Sequence, residues 1–395
     1  VNCDAIAQLK GLVYTCEICG HNLQIEYDYE AIRKSWNKDT LKHNSDYTIW
    51  RYMPLYPVET RIDYPPIGWT PLFEVPKLAK TMNLRSLFVK DDGRNPSASF
   101  KDRATAIALM RAKELGCDLV TGASTGNAAS STAVLAAVTG IKAKIFIPRT
   151  APRAKVAQIM TFGAEVLAVD GVYDDAFDLC LAATQKFGWY NRNTGYNPFT
   201  REGKKSVSFE ICEQMAWDVP DLVVVPVGDG NIISGVWKGF QDFYRIGFID
   251  RLPRLLAVQA EHSDAIIRAF EGDGTISPVS GDTVADSISV SIPRDGKAAL
   301  QAIQQSNGLC MRVSDQEILN AIPTLARNTG VFGEPAASTS LAGLQKAVAQ
   351  GHIDPNWKIV LLLTGNGLKD IASAIKVAGE PPIIAPNPDA LNDMM

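Results

Sequence analysis

What most restricts the fold of this chain is a repeated switch between short, uninterrupted apolar runs and helix-period segments. The runs read SLFVK (86–90), DLVTG (118–122), KAKIFIP (142–148), AEVLAVD (164–170), DLVVVPVG (221–228), RLLAVQA (254–260) and KIVLLLTG (358–365). Between them stand helical patterns such as PRAKVAQIMTFG, DDAFDLCLAATQKFG and SDQEILNAIPTLARNTG. Each closes on glycine, the residue that most readily takes the left-handed conformation of a helix end. A strand without polar alternation is buried on both faces, and strands that alternate with helices run parallel. The order predicts an α/β chain with two doubly wound parallel sheets, for which 395 residues are ample.

The two ends differ from this pattern. Residues 1–64 are rich in Tyr, Trp and charge and read as an N-terminal arm or small lobe; the tail GEPPIIAPNPDALNDMM (379–395) is Pro/Asn-rich and reads as loosely held. A formal charge of −4 gives no basic face for nucleic acid. No apolar run has membrane-spanning length, and the first residues lack the basic-then-apolar order of a secretory signal. Seven scattered cysteines (3, 16, 19, 117, 180, 212, 310) do not make a disulfide framework in a chain of this size, so reduced thiols and a cytoplasmic location are expected. His43, His262 and His352 lie in polar surroundings and read as surface residues; Trp36, Trp50 and Trp217 read as packing or interface anchors, and the aromatic arm suggests a homodimer.

Doubly wound sheets bind ligands where strands give way to helices. After DLVTG comes GASTGNAASSTAVLAAVTG, in which Ser124, Thr125, Gly126, Asn127 and Ala128 form a small polar loop feeding a helix, a place for a carboxylate or phosphate. After DLVVVPVG comes GDGNIISG, where Gly228, Asp229, Gly230, Asn231 and Ile232 offer backbone N–H groups to a phosphate. Its spacing is not G-x-G-x-x-G, which argues against a nicotinamide dehydrogenase, and Asp229 repels a phosphate unless it points away. After KIVLLLTG, Thr364 sets a hydroxyl at a strand end, a position a plain turn residue also fills. Lys101, in GRNPSASFKDR, stands at a helix N-terminus, where the dipole disfavours a cation; balance by Asp102 is the ordinary explanation. A lysine, a phosphate cup, a carboxylate loop and a strand-end hydroxyl together are what pyridoxal 5′-phosphate requires.

These stretches resemble threonine synthase and its fold-type-II pyridoxal-phosphate relatives, including threonine dehydratase and the tryptophan synthase β chain, over residues 65–375. GRNPSASFKDR is similar to the family's G-R-N-P-T-G-S-F-K-D-R, with Ser97-Ala98 in place of Thr-Gly, and LTGNGLKD resembles T-G-H-G-L-K-D. The resemblance implies that Lys101 carries the cofactor as an imine and then moves protons. It places Asn127 beside the cofactor's 3′-oxygen, Ser124 and Thr125 near the substrate carboxylate, the 228–232 loop at the cofactor phosphate, and Thr364 at the ring nitrogen. Residues 65–110 and 195–380 then form a large cofactor-binding domain and 111–194 a small substrate-side domain, with 381–395 as the tail.

Two departures bear on function. Threonine synthases of the family read N-S-x-N-P-x-R-x-E-G, whose Asn, Ser and Arg hold the phosphate of O-phosphohomoserine; here NTGYNPFTREG puts Thr194, Gly195 and Thr200 in those places. Threonine does not replace a bidentate guanidinium, and on an extended chain Arg201 or Lys204 faces away. The expectation is a lyase acting on a small amino acid, either releasing phosphate from O-phosphohomoserine to give threonine or acting as an ammonia-lyase or dehydratase on a β-hydroxy or β-amino amino acid. A binding protein without turnover is disfavoured by Lys101. At the N-terminus, CEIC (16–19) survives from a pair of Cys-x-x-Cys knuckles while the first reads CDAI, with Ile6 at a ligand place, so a degenerate, metal-free ribbon is expected.

Overall fold

The apolar runs form strands where the sequence places them. The computed structural model describes residues 3, 5–8, 11–151 and 153–388; residues 389–395 of the expected tail, residues 1, 2, 4, 9 and 10 of the arm, and residue 152 lie outside them. Its strands are β1 (Leu72–Glu74), β2 (Ser86–Asp91), β3 (Leu119–Ala123), β4 (Lys142–Pro148), β5 (Glu165–Val169), β6 (Tyr190–Asn191), β7 (Leu222–Pro226), β8 (Arg254–Ala260), β9 (Leu309–Val313) and β10 (Lys358–Leu363). One sheet has the order β1-β2-β10-β7-β8-β9, and the other β5-β4-β3-β6. The chain therefore starts the large sheet, builds the small one between residues 119 and 191, and returns.

All pairings are parallel except β1 with β2. Only the short helix Pro76–Thr81 joins those two strands, which reverses the chain instead of carrying it back to the same end. The sequence reading misses β1, β6 and β9. The first two are very short, and edge strand β9 is only half-buried, so it lacks a continuous apolar run. Elsewhere both faces are covered: on β7, Val223 and Val225 join one core cluster while Leu222 and Val224 join the other.

The aromatic arm packs on its own chain. Trp36, Trp50, Tyr52 and Tyr56 share a core cluster with Phe209 and Phe243, while the hydroxyls of Tyr27 and Tyr29 donate to Glu202 and Asp242 at 2.5 and 2.7 Å. Of the two roles expected for Trp36 and Trp50, packing or interface, packing is the one seen here. All four histidines are exposed, and no helix among the described residues is long and apolar enough to cross a membrane.

Below the strand ends lies a charge network with no solvent exposure. Arg103 pairs with Asp92 at 2.6 Å and with Glu210 at 2.5 Å, and Lys90 pairs with Glu210 at 2.6 Å. Thr70 Oγ1 adds a bond to Asp92, and its carbonyl accepts from Lys90 Nζ. Burial alone would raise the Glu210 carboxyl, but Arg103 and Lys90 hold it down to about 2, against its usual 4.5. Removing one member of a buried pair strands the others, so Glu210→Gln is expected to destabilise the protein by about 3–5 kcal/mol in urea unfolding at pH 7. A loss under about 1 kcal/mol would count against the network. Because the folded carboxyl is the stronger acid, its contribution is complete above pH 4.5 and fades as pH falls towards 2, so parent and variant converge in acid.

Candidate active site

Lys101 opens the helix Lys101–Glu114, and the turn before it is laced to the turn after β10. Phe100 N–H donates to the Thr364 carbonyl at 2.9 Å, and Asn366 N–H donates to the Ala98 carbonyl at 3.1 Å. Asp102 does not balance the lysine: it is fully buried and accepts the Ser97 N–H at 2.7 Å. Among the described residues the Lys101 amine has no hydrogen-bond or ion-pair partner. Burial pulls its pKa below the usual lysine value, with the Asp229 carboxylate offsetting part of that.

Lys101 faces a cavity of about 610 Å³. Ser124, Thr125, Gly126, Asn127 and Ala128 form one wall, between β3 and the helix Asn127–Thr139. Asn127 Nδ2 donates to Glu334 Oε1 at 2.8 Å and to Ser287 Oγ at 3.1 Å, tying the small-sheet loop to the large sheet. Of the turn after β7, only Asp229 lines the cavity; Gly228, Gly230, Asn231 and Ile232 sit behind it, as does Thr364, whose hydroxyl has no protein partner among the described residues. The Asn231 side chain is fully engaged, accepting from Lys204 Nζ at 2.5 Å and donating to Asp295 at 2.7 Å.

Some of the site was not anticipated. Glu334 is buried at the start of helix Pro335–Ala349, and burial raises its carboxyl to about 7, with the Asn127 amide pulling the other way. Glu334 stands behind Asn127, whereas Arg192, Arg294 and residues of the segment from Ser280 to Ile292 line the cavity itself. The one signal for that segment is its Ser/Gly/Asp content between two periodic stretches. Phe199–Lys204 is helical, not extended, so Lys204 lies one turn after Thr200 and both reach Asn231. Burial and the Lys101 charge push the Lys204 amine well below its usual pKa. Thr200 itself is fully buried, donating to the Asn197 carbonyl at 2.7 Å, away from the cavity.

At the N-terminus the thiols of Cys3, Cys16 and Cys19 lie within 4.8 Å of one another, and backbone N–H groups of Cys19 and Ile18 bring Cys16 down to about 7. Ile6, at the place of a fourth ligand, is almost wholly exposed.

Four similarities bear on this geometry. Residues 64–365 match the model of the pyridoxal-phosphate dependent enzyme family. The chain is 39% identical to a threonine synthase of Methanocaldococcus jannaschii over 386 residues, covering 96% of this chain and 95% of that one. It is 37% identical to a threonine synthase of Methanosarcina acetivorans, covering 100% and 97%. The structure superposes on a threonine deaminase of Solanum lycopersicum with TM-score 0.68 at 20% identity, covering 95% of this chain and 100% of that one, which is a likeness of fold.

The residues present fit the cofactor. An unpaired amine faces the cavity, and the turn at 228–230 admits nothing but glycine at its ends. A Cβ at Gly228 would meet Ile288 Cα, and one at Gly230 the Asp295 carbonyl, each at 2.8 Å. The fifteen-residue helix that follows presents N–H groups without intrahelical acceptors.

Two outcomes follow for stability. Ala98 holds a left-handed φ of 61°, where the relatives' pattern has glycine. Ala98→Gly relieves about 1–2 kcal/mol of backbone strain less glycine's larger entropy loss, so a gain of up to about 1 kcal/mol is expected in chemical unfolding. Because folding raises the Glu334 pKa from 4.5 to about 7, stability linked to it is complete below pH 4.5 and is lost as pH rises through 7. In cofactor-free protein, Glu334→Gln should match the parent at pH 4.5 and exceed it by up to about 3 kcal/mol at pH 8; equal stability at both pH values would refute the assignment.

Proposed function

The chain belongs to the pyridoxal-phosphate dependent enzyme family as a threonine synthase-like lyase, and we propose that it converts O-phosphohomoserine and water into threonine and phosphate. The observation that carries this reading is near-full-length identity of 39% to a threonine synthase. A cavity that sets one unpaired amine between a small-residue loop and Asp229 of the turn after β7 supports it. Pyridoxal 5′-phosphate, when bound, supplies an electron sink that makes the carbons next to the amino group acidic.

The protein's own groups do the rest. Lys101, its pKa lowered by burial, takes protons from substrate carbon and returns them. Ser124, Thr125 and Ala128, with the N–H groups that open helix Asn127–Thr139, receive the substrate carboxylate. Asn127, fixed by Glu334 and Ser287, would stand on the cofactor's ring-oxygen side. Gly228, Gly230, Asn231 and Ile232 would hold the cofactor phosphate at a helix N-terminus, and the uncharged Thr364 hydroxyl would suit an unprotonated ring nitrogen. Asp229 opposes that phosphate, and the cations nearby, Lys101, Lys204 and Arg192, offset it. The elements flanking the site suit the proposed division into a large domain (65–110 and 195–380) and a small one (111–194). The unpaired cysteines accord with a cytoplasmic enzyme, and light scattering decides whether it is a homodimer.

The absence of arginine at position 200 favours the second reading, an ammonia-lyase or dehydratase. With purified protein, cofactor and O-phosphohomoserine, threonine and phosphate are expected in equal amounts. Lys101→Ala should lower the rate by at least about a thousandfold. Ammonia from serine, threonine or a diamino acid, with no phosphate from O-phosphohomoserine, would install the second reading instead.

A further inference from the structure

Four arginines are buried among the described residues, and three of them face a carboxylate: Arg51 meets Glu213, Arg103 meets Asp92 and Glu210, and Arg201 meets Asp295. Arg192 is the exception. It is 2% exposed, forms no ion pair, and lines the cavity. Its Nη2 donates to Thr105 Oγ1 at 2.9 Å, its Nη1 makes a long contact with Thr194 Oγ1 at 3.5 Å, and its Nε–H has no partner. A guanidinium carries more donors than these two contacts use, and a buried cation with unspent donors is costly unless an anion completes it. Burial lowers its pKa to about 10, with Asp229 opposing, so it stays charged at neutral pH.

Its placement is fixed from two sides. Arg192 N–H donates to the Thr121 carbonyl at 2.9 Å, continuing the register of β6 against β3. Thr105 stands one turn after Lys101, donates to the Lys101 carbonyl at 3.1 Å, and accepts from Ser131 at 2.7 Å. The charge is therefore held beside the reacting amine by the same helix that presents it. Meanwhile the place where relatives carry their phosphate-gripping arginine holds Thr200, which is sealed from the cavity. Gly195 cannot carry the relatives' serine as the chain stands, since a Cβ there would lie 2.8 Å from Arg294 Cβ.

We infer that Arg192, with Thr194 beside it, grips the distal phosphate of the substrate, replacing from the end of β6 the cation that position 200 lacks. This rests on the phosphohomoserine reading, and the test separates the two. Arg192→Gln and Arg192→Lys are prepared as holoenzymes, with the cofactor's visible absorbance and the thermal midpoint confirming that each is folded and loaded. For Arg192→Gln, KM for O-phosphohomoserine should rise at least about thirtyfold, kcat should change less, and Arg192→Lys should fall between. Inorganic phosphate, titrated calorimetrically into the holoenzyme, should bind the parent and bind Arg192→Gln at least about thirtyfold more weakly. Arginine-dependent phosphate binding without turnover of O-phosphohomoserine would leave the clamp standing and sink the reaction. Parent-like KM and phosphate affinity in Arg192→Gln would sink the clamp, as would a loss confined to cofactor affinity or a parent holoenzyme that binds no phosphate.

Discussion

The site depends on a pair of buried carboxylates that hold one arginine. Arg103 lies two residues after Lys101, and its bonds to Asp92 and Glu210 join the turn after β2, the Lys101 helix and the helix Ser206–Gln214. Gly203 lets the chain approach this point so closely that a Cβ would sit 1.9 Å from the Arg103 carbonyl oxygen. An ion network without solvent exposure adds little net stability over an apolar one of the same shape, yet it fixes direction, because every misalignment leaves a charge unpaired. That is how a flexible lysine comes to stand at one place at the mouth of the large sheet.

From that fixed point the cavity is assembled across both sheets. The small sheet contributes the 124–128 wall and Arg192, the large sheet contributes Lys101 and Asp229, and the segment around Ser287 closes the side. Asn127 is the link, with its amide shared between Glu334 and Ser287. Burial then sets the chemistry. It lowers the Lys101 and Lys204 amines and raises the Glu334 carboxyl to about 7, so each charged form is held at a cost that water would not impose.

Much of this was legible in the chain. Continuous apolar runs such as LVVVP specified buried parallel strands, and glycine-rich exits after β3 and β7 marked the ligand edge, because backbone needs settle those locally. The places of Lys101, Asn127 and Asp229 along the cavity were legible for the same reason: each lies in a strand-to-helix exit or at a helix start. Arg192 was not legible. It sits between asparagines with no turn signal, and only the pairing of β6 with β3 brings it to the cavity.

The amino-acid order alone determined the sheets, their alternation with helices and the loops that can receive a phosphate and a carboxylate, since periodicity and glycine placement act within a few residues. Tertiary structure decided which charges face the cavity. Whether Asp102 answers Lys101, whether Thr200 or Arg192 faces the cavity, and whether the arm's aromatics pack on their own chain all turn on contacts between segments far apart in the chain. Those contacts are fixed by packing and burial across two sheets, which no local pattern encodes.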